Sequence, residues 1–269
     1  NELEAEEAIS QFLKIHVWKP VSERDRLFLM NMSLFESFTF TQAVRQTQVS
    51  QQEALAILDG NSCFDYNSKT HIYSMHPLIR SYSSHLLWEQ SESDQKQIMR
   101  RAALICEETS QYFHAIQLYY KAGDYDHIYQ MKVRMTDIYP YIKHGNRSLF
   151  LKLANRFWTS NKNGNYQFSI IMTFSLFIYN ERTSMKNMVA ALQTEILADT
   201  SLSQSEREAY LAELKFVTVY LRYNNLPEMH QIFKELYDNI RTPLHLIAGM
   251  FPITFGSPSI LSQFYTVPG

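Results

Sequence analysis

The feature that most constrains the fold of this chain is one change in its hydrophobic periodicity. Apolar residues recur at helical spacing along most of the sequence, as at Tyr210, Leu214 and Val217. Residues 63–76 instead form two short aromatic-rich runs around Asn67-Ser68-Lys69-Thr70, which predicts a β-hairpin with a four-residue connection. Only 7 glycines occur among 269 residues, so few positions favour left-handed backbone. We therefore expect a mainly α protein with a small β-hairpin.

Helix-start signals lie on both sides of the expected hairpin. They are Ser22, the capping box of Thr39 with Gln42, the capping box of Ser50 with Glu53, and Pro77 at a first helical position. Three helices, a two-stranded hairpin and a further helix, in this order, are the pattern of a winged helix. We predict a connecting helix over 1–18, amphipathic over 3–15, followed by a winged-helix domain over 19–90.

Beyond residue 90 the sequence predicts helices separated by short turns. The expected helices span 94–109, 112–121, 126–135, 147–158, 166–180, 184–198, 204–223 and 227–240. Residues 168–179 are typical of a buried helix, because Ser169, Thr173 and Ser175 interrupt the apolar run. Antiparallel helix pairs with short turns are similar to tetratricopeptide (TPR) repeats, although no strict repeat of about 34 residues is visible. We predict a helical arm or TPR-like sensor domain over 91–269, irregular over 242–269.

Sequence patterns that carry catalysis are absent from the chain. It contains no G-x-x-x-x-G-K-[ST], G-x-G-x-x-G, H-E-x-x-H or G-x-S-x-G. Cys63 and Cys106 have no C-x-x-C partner, which indicates buried, reduced thiols in a cytoplasmic protein. No apolar run reaches the ~18 residues of a membrane helix. We expect no enzymatic activity, no catalytic residue, no metal, no cofactor bound by this chain and no membrane partner.

The helix before the hairpin would enter the groove of DNA in a winged helix that reads bases. It carries Gln51 and Gln52, but also the acidic Glu53 and Asp59. No Lys or Arg occurs over 46–68, and the whole chain has a formal net charge of -2. Because phosphate neutralisation by cations supplies most affinity for DNA, we expect no direct DNA contact and a packing role for this helix.

Several segments resemble, in order along the chain, the MalT-like, ATP-dependent LuxR-type transcription regulators of bacteria. The matching segments are Trp18-Lys19-Pro20-Val21, Arg26-Leu27-Phe28-Leu29-Met30-Asn31-Met32-Ser33-Leu34-Phe35, Glu53-Ala54-Leu55-Ala56-Ile57-Leu58 with Asn61, Tyr73-Ser74-Met75-His76-Pro77-Leu78-Ile79-Arg80, Arg101-Ala102-Ala103, His114-Ala115-Ile116-Gln117 and Thr254-Phe255-Gly256-Ser257-Pro258-Ser259. The resemblance is good over residues 10–135 and looser over the remainder. These regulators belong to the signal-transduction ATPases with numerous domains, the STAND class.

The resemblance implies a domain order and a sensing residue. In that family an ATPase domain precedes a winged helix, a helical sensor array and a C-terminal helix-turn-helix. His76 matches the family's histidine that contacts the phosphates of bound ADP, so the resemblance implies nucleotide sensing there and ATP or ADP in the full-length parent. It also implies a small-molecule inducer or a protein effector, unknown from the sequence, at the helical array. Since the chain starts at Asn1 without Met, we expect a regulatory middle segment whose partners are the parent's ATPase and helix-turn-helix domains.

Alternatives stay open at three points. His76 can be a histidine that satisfies a local backbone carbonyl. The aromatic residues over 112–129 and 168–179 can be helix-packing core, or they can line a concave groove for an inducer or a partner. As a whole, the chain can be a free-standing helical-repeat scaffold for protein interaction, or a winged-helix repressor.

Overall fold

The computed structural model describes residues 11–143, 145–159, 163–222 and 225–239. Within these residues the protein is mainly helical with a small three-stranded antiparallel sheet, which confirms the expected fold class at this level. Residues 1–10 of the expected connecting helix, the expected irregular segment 242–269, and residues 223 and 240 at two expected helix ends lie outside the described residues. The chain divides into two compact units, up to Asp124 and from Tyr125. The domain boundaries expected at 18 and 90 stay predictions.

The first unit combines helices with the sheet. Its described elements are a π-helical segment (Leu13–Trp18), α1 (Glu23–Met32), β1 (Ser37–Phe38), α2 (Phe40–Thr47), α3 (Gln51–Gly60), β2 (Phe64–Asn67), β3 (Ile72–Met75), α4 (Pro77–Leu87), α5 (Glu92–Glu108) and α6 (Tyr112–Lys121). Its core includes the buried side chains of Phe28, Phe35 and Phe38. The ring of Phe64 meets those of Phe28 and Phe38 edge-on, each with a centroid separation of 5.9 Å.

The second unit is helical in its described part. Its elements are α7 (Tyr125–Gln130), α8 (Met135–Lys143), α9 (Arg147–Arg156), a 3-10 turn (Phe157–Thr159), α10 (Gln167–Ile178), α11 (Arg182–Ala198), α12 (Gln204–Thr218), a second 3-10 turn (Val219–Arg222) and α13 (Leu226–Asn239). The expected helix over 204–223 therefore ends as an α-helix at Thr218 and tightens into a 3-10 turn.

Side-chain caps explain where several of these helices begin. At α2 the Gln42 backbone N–H donates to Thr39 Oγ1 at 3.3 Å, and the Thr39 backbone N–H donates to Gln42 Oε1 at 2.7 Å. The same reciprocal box opens α3 and α12. Each box pairs two backbone N–H groups that the first helical turn leaves without a partner. The helix starts expected at Thr39 and Ser50 are therefore confirmed.

The sheet has the strand order β1-β3-β2, and both pairings are antiparallel. In register, Tyr73 lies opposite Phe38 on one side and Tyr66 on the other. Asn67 Oδ1 accepts hydrogen bonds from the backbone N–H groups of Lys69 at 3.0 Å and Thr70 at 3.3 Å, which closes the hairpin turn. The expected hairpin is confirmed. Strand β1 was not expected, because two residues are too few to show the alternation of apolar and polar side chains that predicts a strand.

Helix α10 is the centre of the second unit. Residues 168–176 are all buried, and α7, α8, α9, α11 and α12 pack against this helix. Two of its three hydroxyls bond to its own backbone: Thr173 Oγ1 donates to the Ser169 carbonyl at 2.8 Å, and Ser175 Oγ donates to the Met172 carbonyl at 2.7 Å, whereas the buried Ser169 Oγ makes no hydrogen bond within the described residues. Such pairing lets a hydroxyl enter an apolar interior without an unpaired polar group. The interpretation of residues 168–179 as a buried helix is confirmed over 168–176.

The helix expected over 126–135 is wrong at its C-terminal end. Helix α7 ends at Gln130, and α8 begins at Met135 and runs through Pro140. A proline inside a helix removes one backbone donor and usually marks a helix end, so the pattern gave no signal for α8.

Candidate functional site

His76 lies on the surface between β3 and α4, as its sequence position indicates. Its backbone N–H donates to the Cys63 carbonyl at 2.9 Å, and its carbonyl accepts from the Arg80 backbone N–H at 2.9 Å. Pro77 occupies the first helical position, where a missing N–H removes no intrahelical bond. The backbone of His76 is therefore held at both ends, while its side chain is exposed.

The imidazole of His76 does not take the role of a local structural donor. It makes no capping hydrogen bond to α4, and within the described part of the chain no hydrogen bond joins this ring to a backbone carbonyl. The bond to the Cys63 carbonyl comes from the backbone, so side-chain satisfaction of a carbonyl finds no support in this geometry.

Arg80 adds a cationic group one helical turn after the His76 imidazole. Residues four apart lie on the same side of a helix, so both side chains belong to the N-terminal end of α4. The guanidinium Nη1 of Arg80 lies 3.7 Å from Glu36 Oε1, and the Glu36 side chain is largely exposed. A pair this exposed is weak and exchangeable. Two donors beside the positive end of a helix form an arrangement that can contact an anion.

A polar junction joins helices α1, α2 and α5 within the first unit. The Gln46 side-chain amide donates to Asn31 Oδ1 at 3.3 Å and to the Ile98 carbonyl at 3.1 Å. Arg101 Nη1 donates to the Gln46 backbone carbonyl at 2.7 Å, near the C-terminal end of α2. Gln46 is fully buried, and burial lowers the pKa of Arg101 from its usual value. The junction therefore fixes the start of the expected helical arm to two helices of the expected winged helix.

An open groove of about 380 Å³ lies beside helix α3. Its lining residues are Phe40, Gln51, Gln52, Leu55 and Tyr73. Sequence reasoning singled out the two glutamines as a surface that could face DNA, but it missed Phe40 and Tyr73. These two come from α2 and β3 and meet α3 only in the folded unit. The lining carries no cation, in keeping with the expected absence of direct DNA contact, which stays a prediction.

The aromatic stretches contribute mainly to the core. The described rings of Tyr119, Tyr129, Phe168 and Phe174 are each at least 98% buried. The Tyr119 hydroxyl donates to Glu107 Oε2 at 3.0 Å, and the Tyr129 hydroxyl donates to the Leu153 carbonyl. Burial raises the pKa of both tyrosines, so both hydroxyls stay neutral donors. For these four residues the packing interpretation holds, and a ligand groove would need other side chains.

The two cysteines are buried and form no disulfide, in agreement with the expected buried thiols. Cys106 Sγ lies 3.6 Å from His114 Nδ1. Burial raises the pKa of Cys106 to about 12 and lowers the pKa of His114. A thiolate–imidazolium nucleophile needs the opposite shifts, so this pair is a neutral contact between α5 and α6.

The described ranges contain neither a metal-binding cluster nor a membrane-spanning helix. No cluster of three or more His, Cys, Asp or Glu side chains in them has a geometry that could hold a metal ion. Among the same residues, no helix combines the length and the apolar character that a membrane crossing requires.

Comparisons of this chain with protein-family models, with curated proteins and with solved structures find no match.

Proposed function

We propose that this chain is the regulatory middle segment of a bacterial LuxR-type transcription regulator similar to the MalT-like family. In this proposal residues 19–90 form a winged helix and residues 91–269 form a TPR-like sensor arm. An inducer or protein effector acts on the arm, and the signal passes to an ATPase domain and a helix-turn-helix domain of the same cytoplasmic regulator. The chain itself catalyses nothing.

The observation that carries the proposal is the position of His76. His76 has an exposed side chain, directly follows β3 and immediately precedes the 11-residue helix α4, and Arg80 lies one helical turn later. This arrangement supports contact with a phosphate, because the helix N-terminus, the Arg80 guanidinium and a hydrogen-bond donor on the His76 imidazole favour an anion at the same place. In the proposal the phosphate belongs to ADP held by the ATPase domain, and His76 reports whether that domain is closed.

The element order gives further support. A short strand between α1 and α2 pairs with the hairpin, and α4 follows the hairpin directly. Winged helices use such an order of helix, strand, helices and hairpin. The hydrogen bond from Arg101 to the Gln46 carbonyl supplies the proposed path of the signal, because it ties α5 to α2 through a buried junction.

The first test is the gene that encodes the chain. The proposal requires a G-x-x-x-x-G-K-[ST] loop within about three hundred residues upstream and a helix-turn-helix downstream. A gene with neither feature rejects the proposal.

The second test measures ADP binding by the intact regulator. We expect His76→Ala to weaken binding of a fluorescent ADP analogue about tenfold, the effect of losing one charge-assisted hydrogen bond. His85→Ala is the matched control, since His85 is an exposed histidine in the last turn of the same helix. Equal affinities of the two variants would show that the His76 side chain does not contact the nucleotide.

A free-standing protein-interaction scaffold is the alternative. The groove beside α3 favours it, because an open surface with an apolar floor fits a protein segment better than it fits nucleic acid. A gene that encodes no ATPase motif next to this chain would favour the scaffold.

A further inference from the structure

Helix α3 has an exposed side that plays no part in the proposed regulator. Gln52, Leu55 and Asp59 are exposed and follow one another at intervals of three and four residues, which places them along one side of the helix. The other side packs into the core through Ala54, Ile57 and Leu58. Leu55 keeps 47% of its surface exposed at the centre of the exposed stripe.

The floor of the groove beside this stripe is apolar and held in place. Phe40 and Tyr73 form it together with the Leu55 side chain. The Tyr73 ring is stacked on Phe38 at a centroid distance of 6.0 Å, and the Tyr66 ring lies 4.6 Å away on its other side. Since these neighbours fix the Tyr73 ring, this side of the groove would lose little conformational entropy when an occupant binds.

The exposed side of α3 is polar where Gln52 lines the groove and negative at Asp59, one turn beyond Leu55 and outside the groove lining. The side-chain amides of Gln51 and Gln52 lie at the N-terminal end of α3, where they can both donate and accept hydrogen bonds. Asp59 lies toward the other end, close enough for its carboxylate to raise the pKa of Tyr73 in addition to the larger effect of burial. Within the described chain, Asp59 has no ion-pair partner.

Charge decides which class of occupant the surface suits. No Lys or Arg lies in the sequence over 46–68, so α3 and the strand after it offer a nucleic acid no cation to neutralise its phosphates. The nearby Arg24 guanidinium faces Glu53 Oε1 at 3.8 Å. A cationic partner would meet Asp59 without a competing charge from α3.

We propose that this groove docks an extended peptide segment of a protein partner, with an aliphatic side chain followed by an arginine or lysine. The aliphatic side chain packs against Leu55, Phe40 and Tyr73, and the cation reaches Asp59. Gln51 and Gln52 bond to the peptide backbone. From Gln52 to Asp59 the helix rises about 10 Å, which is the length of about three residues of extended chain. The inference does not depend on the proposed regulator, because any protein with this groove would offer the same surface.

The test uses the whole chain and fluorescein-labelled hexapeptides with a central leucine. One pool carries arginine beside the leucine, and the other carries glutamate at the same positions. Fluorescence anisotropy should show binding of the arginine pool, at least tenfold weaker binding of the glutamate pool, and weakening with added salt. Leu55→Ala should weaken binding of the arginine pool about tenfold, as loss of buried aliphatic surface does.

A charge exchange separates docking in the groove from general attraction to an acidic surface. Asp59→Lys should weaken binding of the arginine pool and strengthen binding of the glutamate pool. Asp65→Lys is the matched control: Asp65 is also exposed, but it pairs with Ser74 and so points to the other face of the sheet from Tyr66 and Tyr73. We expect Asp65→Lys to leave both affinities within twofold.

Four results would overturn the inference. The first two are equal binding of the two peptide pools and no binding of either at millimolar concentration. The third is tighter binding of a labelled DNA duplex, lost in Leu55→Ala, which would assign the groove to nucleic acid. The fourth is concentration-dependent dimerisation lost in the same variant, which would assign it to a second copy of this chain.

Discussion

Arg101 Nη1 donates a hydrogen bond of 2.7 Å to the backbone carbonyl of Gln46, across 55 residues of sequence. The carbonyl belongs to the last turn of α2, where the helix dipole favours a cation. One guanidinium thus satisfies a carbonyl that the end of the helix leaves unpaired and joins α5 to the helices before the hairpin.

Replacing Arg101 should therefore destabilise the first unit. We expect Arg101→Ala to lower the free energy of unfolding by about 2 kcal/mol, the range for a hydrogen bond to a charged group. Urea unfolding followed by circular dichroism measures the change. Arg100→Ala is the control, since Arg100 pairs with Asp124 at 2.9 Å from a half-exposed position and should contribute less. An equal loss of unfolding free energy in the two variants would mean that the hydrogen bond to Gln46 contributes no more than the exposed Arg100–Asp124 pair.

The capping box at α2 makes a second prediction. Thr39→Ala removes the acceptor of the Gln42 backbone N–H and should lower the free energy of unfolding by about 1 kcal/mol. Thr194→Ala, in the interior of α11, should have almost no effect. The higher helix propensity of alanine offsets the lost hydrogen bond from Thr194 Oγ1 to the Ala190 carbonyl. Thermal unfolding of both variants gives the comparison. A Thr39→Ala protein as stable as Thr194→Ala would contradict a stabilising box.

His114 should make stability depend on pH. Burial is the main cause that lowers its pKa in the folded state; Lys121 and Arg80 lower it further, while Glu36 and the Leu34 carbonyl oppose them. The unfolded chain therefore binds the proton more tightly, and stability falls as pH drops below the ordinary histidine value of ~6.5. Above that value the contribution of His114 is fully present. The loss ends once pH has passed the lowered folded pKa.

The measurement is the difference in urea midpoint between the unmodified chain and His114→Gln at a series of pH values. The difference isolates His114, because all other titrating groups are present in both proteins. We expect His114→Gln to flatten the pH dependence between neutral and mildly acidic pH. Identical slopes would show that His114 keeps the same proton affinity on unfolding.

Cys106 should be chemically silent in the folded protein. Burial raises its pKa to about 12, so the thiolate that alkylating reagents require is scarce and inaccessible. We expect iodoacetamide at mildly alkaline pH to leave Cys106 unmodified, as judged by mass spectrometry, and to modify it fully in urea. Burial also raises the pKa of Cys63, which should behave likewise. Rapid labelling of Cys106 without denaturant would contradict its buried position.

The sequence predicted best where one local interaction decides the structure. The capping boxes at Thr39 and Ser50 set their helix starts, and helix 112–121 has the bounds that its pattern indicates. The hairpin turn follows from Asn67, whose side chain bonds within three residues. In each case the residues that determine the structure are neighbours in sequence.

The missed features depend on residues far apart in sequence. Strand β1 exists because Phe38 pairs with Tyr73, and two residues carry no pattern of their own. Helix α8 includes Pro140 against the usual rule, because tertiary packing outweighs the lost backbone bond. The groove was invisible for the same reason, since Phe40 and Tyr73 meet α3 only after folding. The strand-to-helix position of His76 is also local and can be read directly from the sequence, while its role in nucleotide sensing stays a prediction.

Helix α10 has a consequence for how the chain is made. Residues 168–176 have no polar side to face water, and two of the helices that cover them, α11 and α12, follow them in the sequence. On the ribosome α10 emerges after α7, α8 and α9 but before α11 and α12, so the sides that the two later helices cover stay exposed for the seconds that translation of residues 179–218 takes. The nascent chain therefore passes through an interval of exposed apolar surface, in which it becomes a substrate for chaperones that bind such segments.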